Sequence, residues 1–203
     1  MSERKATIER KTRETEISIA VNLDGSGEVD VETPIGFFSH MLEALGRHGL
    51  IDMTVKVQGD LHVDQHHTVE DTGMVLGSAF AKALGERRGI SRAGWCRHPM
   101  DEALADVAVD LSGRGYLGYH AEYKEKKVGE LDLELLYDFF EAFARTLGAN
   151  IHIDLVRGRS DHHKVEAIFK ACARALRMAI AIEPRMQGRI PSTKGSLDLG
   201  GGK

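Results

Sequence analysis

TEISIAVNLDGSG at residues 15–27 and LADVAVDLSGRG at residues 104–115 share one pattern, and that pattern decides the fold. In both stretches apolar and polar residues alternate, and both end in a glycine-containing turn, which is typical of a half-buried strand that enters a hairpin. The matching apolar pairs lie 88 positions apart: Ile19 with Val107, Val21 with Val109, and Leu23 with Leu111. The chain therefore contains two copies of one strand.

Two further matches follow this strand in the same order. HMLEALGR at residues 40–47 aligns with DFFEAFAR at residues 138–145, 98 positions later, and both have the apolar spacing of a helix. Each is followed by a strand-like segment and then by a His-His-x-x-Glu motif, in DQHHTVEDTG at residues 64–73 and in SDHHKVEAIF at residues 160–169. The two motifs are 96 positions apart, and an apolar-periodic stretch follows each of them. Ordered matches of this kind indicate an internal duplication.

Each half thus reads strand, strand, helix, strand, helix. The pattern predicts an α+β fold, an internally duplicated unit of antiparallel sheet backed by helices, with two similar halves packed together. We expect the first half to cover residues 1–90, the second half residues 91–187, and a C-terminal tail residues 188–203.

The composition narrows the class of protein. With 42% hydrophobic residues, the chain has enough apolar material for a buried core. The formal net charge is -4, and acidic and basic residues are mixed along the chain, so no basic stripe is available to bind a nucleic-acid backbone. The chain has no apolar run of about 18 residues, which argues against a membrane span. We therefore expect a soluble cytoplasmic protein with neither nucleic acid nor membrane as a partner.

The repeated histidines have a definite geometry if their segments begin helices. At about 100° per residue, His66 and Glu70 lie on one helix face, whereas His67 points well away from it. Adjacent histidines on one helix therefore cannot readily bind the same ion. The second copy repeats this arrangement with His162, Glu166 and His163.

Each helix can instead offer a His/Glu pair to one metal ion and a lone histidine to another. A pseudo-twofold partner helix would complete two sets: His66, Glu70 and His163 for one ion, and His162, Glu166 and His67 for the other. His40 and Asp138 occupy the same position in the aligned helices, and we expect them as fourth ligands, His40 beside His67 and Asp138 beside His66. Imidazole and carboxylate ligands without a thiolate suit Mn, Fe, Co or Zn.

Several segments together resemble the imidazoleglycerol-phosphate dehydratase family. They are DQHHTVEDTG, SDHHKVEAIFKA, FFSHMLEALGRHG, RAG followed by MDEALADVAVDLSGRG, and the terminal IPSTKG. The resemblance runs from about residue 4 to residue 198. It implies a duplicated α+β unit with two manganese ions (Mn2+) per active site. It also implies a dehydratase of histidine biosynthesis that converts imidazole glycerol phosphate to imidazole acetol phosphate and water.

The resemblance, transferred residue by residue, implies eight metal ligands, the same set that the repeat predicts. They are His40, His66, His67, Glu70, Asp138, His162, His163 and Glu166. The chain departs from part of the family at Asp138, where several members have His or Glu. Because Asp is the shorter carboxylate, it is expected to reach an ion through a small backbone shift or a water molecule.

The substrate that the resemblance implies needs a proton-transfer group and a basic cradle for its phosphate. Glu14 resembles the acidic residue that lies near the reacting carbons in this family, so we expect it to bind substrate and to transfer a proton, with Glu102 and Asp106 as secondary candidates. Five further residues match the substrate-binding positions of the family and would pair with the phosphate: Arg92, Arg114, Lys170, Ser192 and Lys194.

The resemblance also implies a homo-oligomer of about 24 subunits in a closed point group. Because one chain cannot readily bring both motif helices onto the same ions, we expect sites at subunit interfaces. Two other functions use the same ligand types. A dinuclear metallohydrolase would use a metal-bound hydroxide as its nucleophile. A non-catalytic metal-binding protein would have no use for Glu14 or for the basic residues of the tail.

Overall fold

A computed structural model of the chain describes residues 3–193 and residue 197. The first half of the described chain contains four strands and two helices. In chain order they are β1 (Lys5–Lys11), β2 (Thr15–Asn22), β3 (Val29–Glu32), α1 (Gly36–Gly49), β4 (Asp52–Gly59) and α2 (His66–Leu84).

The second half repeats this order and adds a short hairpin, formed by β8 and β9, before its first helix. Its elements are β5 (Ala93–Met100), β6 (Ala103–Asp110), β7 (Tyr116–His120), β8 (Lys127–Val128), β9 (Leu131–Asp132), α3 (Leu135–Leu147), β10 (Asn150–Arg157) and α4 (Asp161–Ile180). A single 3-10 turn, Pro184–Met186, follows. The predicted class, a duplicated α+β fold, is confirmed.

The two four-stranded sheets of the described chain are mixed, whereas the sequence predicted antiparallel sheets. Their orders are β1-β2-β4-β3 and β5-β6-β10-β7. In each sheet the last strand is parallel to its neighbour, β3 to β4 and β7 to β10. A helix lies between these two strands in the chain, and a crossover of this kind returns the chain in the parallel direction.

Each half was predicted to contain three strands, and each large sheet has four. The hairpin expected after the glycine turns of β2 and β6 is wrong for the described chain, because β2 pairs with β1 and β4, and β6 pairs with β5 and β10. The strands that follow those turns, β3 and β7, have only four and five residues and carry little periodic signal.

The helices pack against one another as well as on their own sheets. α2 lies on β1, β2 and β4, and α4 lies on β5, β6 and β10. The helix pairs cross between the halves, because α1 packs on α4 and α2 packs on α3. Buried phenylalanines join the halves, and the rings of Phe38 and Phe139 meet edge to face at 5.4 Å. This exchange of helix partners places side chains of one half beside those of the other.

Glycines allow α2 to approach α3 closely. A methyl group on Gly73 would overlap the carbonyl oxygen of Phe139, and one on Gly77 would overlap that of Phe143. A residue with a Cβ atom at either position would therefore separate the two helices. None of the helices in the described part of the chain combines the length and hydropathy that are needed to span a bilayer.

Candidate metal and substrate site

Both His-His motifs lie in the first turn of a helix. α2 begins at His66 and α4 at Asp161, so the prediction that the motifs begin helices is confirmed. Asp64 Oδ1 accepts a hydrogen bond from the backbone N–H of His66 at 2.8 Å, and Ser160 Oγ accepts one from that of His163 at 3.4 Å. These bonds satisfy N–H groups that the start of a helix leaves unpaired. Each motif is therefore presented at the end of a helix.

The α4 motif forms a compact cluster with a histidine from α1. The ligand atoms of His40, His162 and Glu166 all lie within 4.8 Å of one another. Glu166 Oε2 lies 3.3 Å from His162 Nε2 and 3.9 Å from His40 Nε2. Two imidazole nitrogens and one carboxylate oxygen at this spacing fit a divalent transition-metal ion.

Lys170 holds the other oxygen of Glu166. Its Nζ lies 2.6 Å from Glu166 Oε1, one helical turn further along α4. Burial raises the pKa of Glu166, but the hydrogen bond and the charge of Lys170 outweigh burial and bring that pKa below its usual value. Glu166 is therefore ionised at neutral pH, as a metal-binding carboxylate must be.

The α2 motif lies beside an aspartate from α3. His66 Nε2 lies 3.3 Å from Glu70 Oε2, and His66 Nδ1 lies 3.6 Å from Asp138 Oδ2. The two ring nitrogens thus face different carboxylates, and the three side chains do not converge on one point. Arg145 Nη2 lies 4.0 Å from Glu70 Oε1. Binding of one ion by all three groups requires a change of rotamer.

The lone histidines contact carboxylates outside both clusters, although their ring centres lie close to those of the adjacent motif histidines, at 6.2 Å for His66 and His67 and 6.0 Å for His162 and His163. His67 Nδ1 lies 3.2 Å from Asp60 Oδ2, and His163 Nδ1 lies 2.8 Å from Glu102 Oε2. The hydrogen bonds to these carboxylates raise the pKa of His67 and the pKa of His163 above the usual value for histidine. The structure therefore brings six of the eight predicted ligands together in two groups and leaves His67 and His163 outside them.

The three candidate proton-transfer carboxylates differ in their contacts. Glu14, in the β1–β2 turn, has a side chain that is 53% exposed, and its Oε1 lies 4.0 Å from His67 Nε2. Glu102 accepts hydrogen bonds from the backbone of Ser160 and from His163, and its pKa falls to about 2. Asp106 accepts a hydrogen bond from Arg97 at 2.9 Å. Glu14 is thus the candidate whose carboxylate stays accessible to a substrate.

The predicted phosphate-binding residues are spread over the chain. Arg92 forms an ion pair with Asp110 at 2.7 Å and donates to the carbonyl of Pro191, next to Ser192. Its backbone N–H bonds to Ala179, which lies nine residues beyond Lys170 on α4, about 14 Å along the helix axis.

The remaining phosphate candidates lie on turns and in the tail. Arg114 is exposed on the β6–β7 turn. Ser192 lies in the last described part of the tail, where its backbone N–H bonds to Ile190. Lys194 lies outside the described residues. One chain therefore keeps Lys170 well apart from Arg92.

Two histidines near Lys170 were not among the predicted site residues. The rings of His48 and His98 lie 6.1 Å apart, and their pKa values are lowered by burial and by the nearby charges of Arg174 and Lys170. Glu166, Lys170 and Arg174 follow one another at intervals of four residues and so lie on one face of α4. This spacing is a sequence signal for the two basic residues beside the histidines. The two histidines come from α1 and β5, and nothing in their spacing predicts that they meet.

The fold and the site together define a class of protein, a duplicated α+β enzyme with histidine/carboxylate groups at the N-termini of paired helices. Comparison with known proteins identifies the family. The family profile described as imidazoleglycerol-phosphate dehydratase matches residues 33–176. The chain belongs to the imidazoleglycerol-phosphate dehydratase family, and the predicted enzyme class, a hydro-lyase, is confirmed.

Curated relatives and solved structures agree with this assignment. The chain is 52% identical over 194 residues to imidazoleglycerol-phosphate dehydratase from Methylorubrum populi, covering 96% of this chain and all of the relative. It is 51% identical over 197 residues to that from Hahella chejuensis, covering 97% of this chain and all of the relative. The chain superposes on the crystal structure of imidazoleglycerol-phosphate dehydratase from Staphylococcus aureus with a TM-score of 0.80 and 36% sequence identity. The match covers 88% of this chain and 99% of the S. aureus chain.

Proposed function

We propose that this chain catalyses the dehydration of imidazole glycerol phosphate to imidazole acetol phosphate in histidine biosynthesis. We further propose that the reaction requires two Mn2+ ions per active site and that the enzyme works in the cytoplasm. The observation that carries the metal requirement is the convergence of His40, His162 and Glu166 in a member of this family. The donor set fits the ion, because Glu166 directs one oxygen to both histidines while Lys170 holds the other.

We infer that each ion is completed by a histidine from a neighbouring subunit. One ion would bind His40, His162 and Glu166 together with His67 of the partner subunit. The other would bind His66, Glu70 and Asp138 together with His163 of the partner subunit. The contacts of His67 and His163 with Asp60 and Glu102 support this arrangement, because they direct Nδ1 of each ring to a carboxylate outside the clusters of its own chain.

Dehydration removes a weakly acidic carbon-bound proton and a hydroxyl group, so it needs a charge sink and a proton-transfer group. Bound metal ions supply Lewis acidity for the charge that develops on the imidazole ring. We assign proton transfer to Glu14, whose accessible carboxylate lies beside His67 Nε2. Basic and polar groups from more than one subunit would hold the phosphate: Arg92, Arg114, Lys170, Ser192 and Lys194.

The same shared sites lead us to propose an obligatory homo-oligomer, an assembly of about 24 subunits in closed symmetry. A metal ion that binds only across an interface favours the associated state by mass action. Chelation should therefore shift the assembly to smaller species, and manganese should restore it. Sedimentation velocity before and after chelation tests this proposal. A fully active, manganese-loaded monomer would overturn it.

Formation of imidazole acetol phosphate by metal-stripped and manganese-restored protein tests the substrate, the reaction and the cofactor together. We expect no product from the stripped protein and full recovery with Mn2+. A His120→Ala variant is a suitable control, because His120 pairs with Asp154 outside both clusters and its loss should leave activity unchanged. Product formation by fully stripped protein would refute the metal requirement, and hydrolysis of the phosphoester without acetol product would favour a metallohydrolase.

A further inference from the structure

Two carboxylates outside the predicted ligand set hold the lone histidines. Asp60 Oδ1 and Oδ2 lie 3.3 and 3.2 Å from His67 Nδ1. Glu102 Oε2 lies 2.8 Å from His163 Nδ1. In both pairs the carboxylate faces Nδ1, which leaves Nε2 on the opposite side of the ring. A carboxylate accepts hydrogen bonds and cannot donate them when ionised, so it selects the ring form that carries a proton on Nδ1.

The two carboxylates are supported in different ways. The side chain of Asp60 is only 13% exposed, and its backbone N–H donates to the carbonyl of Glu14 at 3.0 Å. Glu102 Oε1 accepts hydrogen bonds from the backbone N–H groups of Arg159 at 3.1 Å and of Ser160 at 2.8 Å. Glu102 therefore joins the β5–β6 turn to the start of α4, and the ring of His163 is tied through it to the backbone.

The two carboxylates come from different positions in the repeat. Glu16 and Leu104 are equivalent in the repeat, 88 positions apart, and their cross-strand partners are Gln58 and Arg157. Gln58 and Arg157 are therefore equivalent, and so are Asp60 and Arg159, which follow them by two residues. Arg159 is a base and cannot accept a hydrogen bond from a ring N–H. Glu102 corresponds to Glu14, 88 positions earlier. The same kind of histidine contact is thus made by non-equivalent residues in the two halves.

We propose that Asp60 and Glu102 are positioning residues, which fix the tautomer and the ring direction of His67 and His163 so that each offers Nε2 to a metal ion. The inference rests on the proposed metal-dependent function. It also explains why Glu14 and Glu102, which are equivalent in the repeat, have different contacts. Glu102 binds His163, whereas in the first half Asp60 binds His67 and the carboxylate of Glu14 stays accessible. Partners of this kind typically change metal affinity by about 10- to 100-fold when they are removed.

The first test is equilibrium binding of Mn2+ to the assembled protein. Asp60→Ala and Glu102→Ala should each weaken manganese binding by about 10- to 100-fold. Asp60→Asn and Glu102→Gln keep the side-chain shape and should weaken it by a smaller factor, which provides a readout if an alanine variant folds poorly. The matched control is Asp154→Ala, which removes the carboxylate from a similar contact, Asp154 Oδ1 to His120 Nδ1 at 3.1 Å, outside both clusters.

A double-mutant cycle separates positioning from a general structural role. If Asp60 acts through His67, then Asp60→Ala should cause no further loss of manganese affinity in a His67→Ala background. The same holds for Glu102→Ala in a His163→Ala background. Equal losses in both backgrounds would overturn the proposal, because the carboxylate would then act on something other than its histidine.

Nitrogen-15 NMR of histidine-labelled, metal-free protein gives a readout that does not depend on activity. Above the pH at which the spectra show both rings to be neutral, His67 and His163 should carry their proton on Nδ1, and the alanine variants should shift it toward Nε2. Unchanged tautomers with unchanged manganese affinity would refute the positioning role and leave the proposed function intact. Wild-type protein that binds no manganese would instead refute the proposed function itself.

Discussion

The start of α2 and the start of α4 are copies of one structure with different chemistry. At α4, His40 from α1 joins His162 and Glu166 in a compact group. At α2, the position on α3 that is equivalent to His40 is Asp138. Asp138 faces Nδ1 of His66, whereas Glu70 faces Nε2 of the same ring. The duplication thus preserved the backbone positions while the donor atoms diverged.

The difference teaches that the two proposed ions are not equivalent. With its partner histidine, the α4 ion would have three imidazole nitrogens and one carboxylate, whereas the α2 ion would have two of each. Oxygen-rich sites favour manganese over softer ions more strongly than nitrogen-rich sites do. The basic partner also differs, because Lys170 contacts Glu166 at 2.6 Å while Arg145 lies 4.0 Å from Glu70.

The largest effect is expected from the ligands of the α4 ion. His162→Ala and His67→Ala should each abolish activity, by about 10³-fold or more, because each removes a ligand from the same ion and its charge stabilisation is worth several kcal/mol. Metal content measured by elemental analysis should fall together with activity in both variants. Full metal occupancy in either one would break the pairing of His67 with the His162 ion.

The next effect separates the two turn carboxylates. Glu14→Gln should keep both ions and bind substrate, while kcat falls by roughly 10²- to 10⁴-fold, the usual scale for general acid–base catalysis. Glu102→Gln, at the equivalent position, should instead alter manganese affinity. A near-normal kcat for Glu14→Gln would return Glu14 to the role of a solvated carboxylate.

The close approach of α2 to α3 gives a stability prediction. Gly73→Ala should lower the free energy of unfolding by about 1–2 kcal/mol, since its methyl group meets the carbonyl of Phe139 and the gain in helix propensity offsets only part of that cost. Urea denaturation at fixed protein concentration measures the change. Gly36→Ala at the start of α1 is the control, because no atom lies near the added Cβ, and it should be neutral or slightly stabilising. Equal stability of both variants would contradict the tight helix contact.

The smallest effect sharpens the comparison of the two metal sites. Asp138→His should make the α2 site nitrogen-rich and raise its preference for Zn2+ over Mn2+ by about tenfold, which corresponds to ~1.4 kcal/mol. His40→Asp should produce the opposite change at the α4 site. Competition binding with the two metals measures both changes. An unchanged preference in Asp138→His would show that position 138 does not contact an ion.

Local patterns in the sequence were enough for the duplicated α+β class and for the helices that carry the histidines. Alternation with a period of two and helical spacing depend on which residues adjoin along the chain, so they survive without any tertiary information. The same reasoning placed His66 with Glu70 and His162 with Glu166, because four residues make about one helical turn.

Contacts between distant elements were decided only by the tertiary structure. The parallel pairing of β3 with β4 and the contacts of Asp60 and Glu102 with the lone histidines had no signal in the sequence. Asp60 has a basic residue as its repeat partner, so even the duplication concealed it. The physical reason is that such contacts depend on how sheets and helices pack across many tens of residues, which no local periodicity encodes.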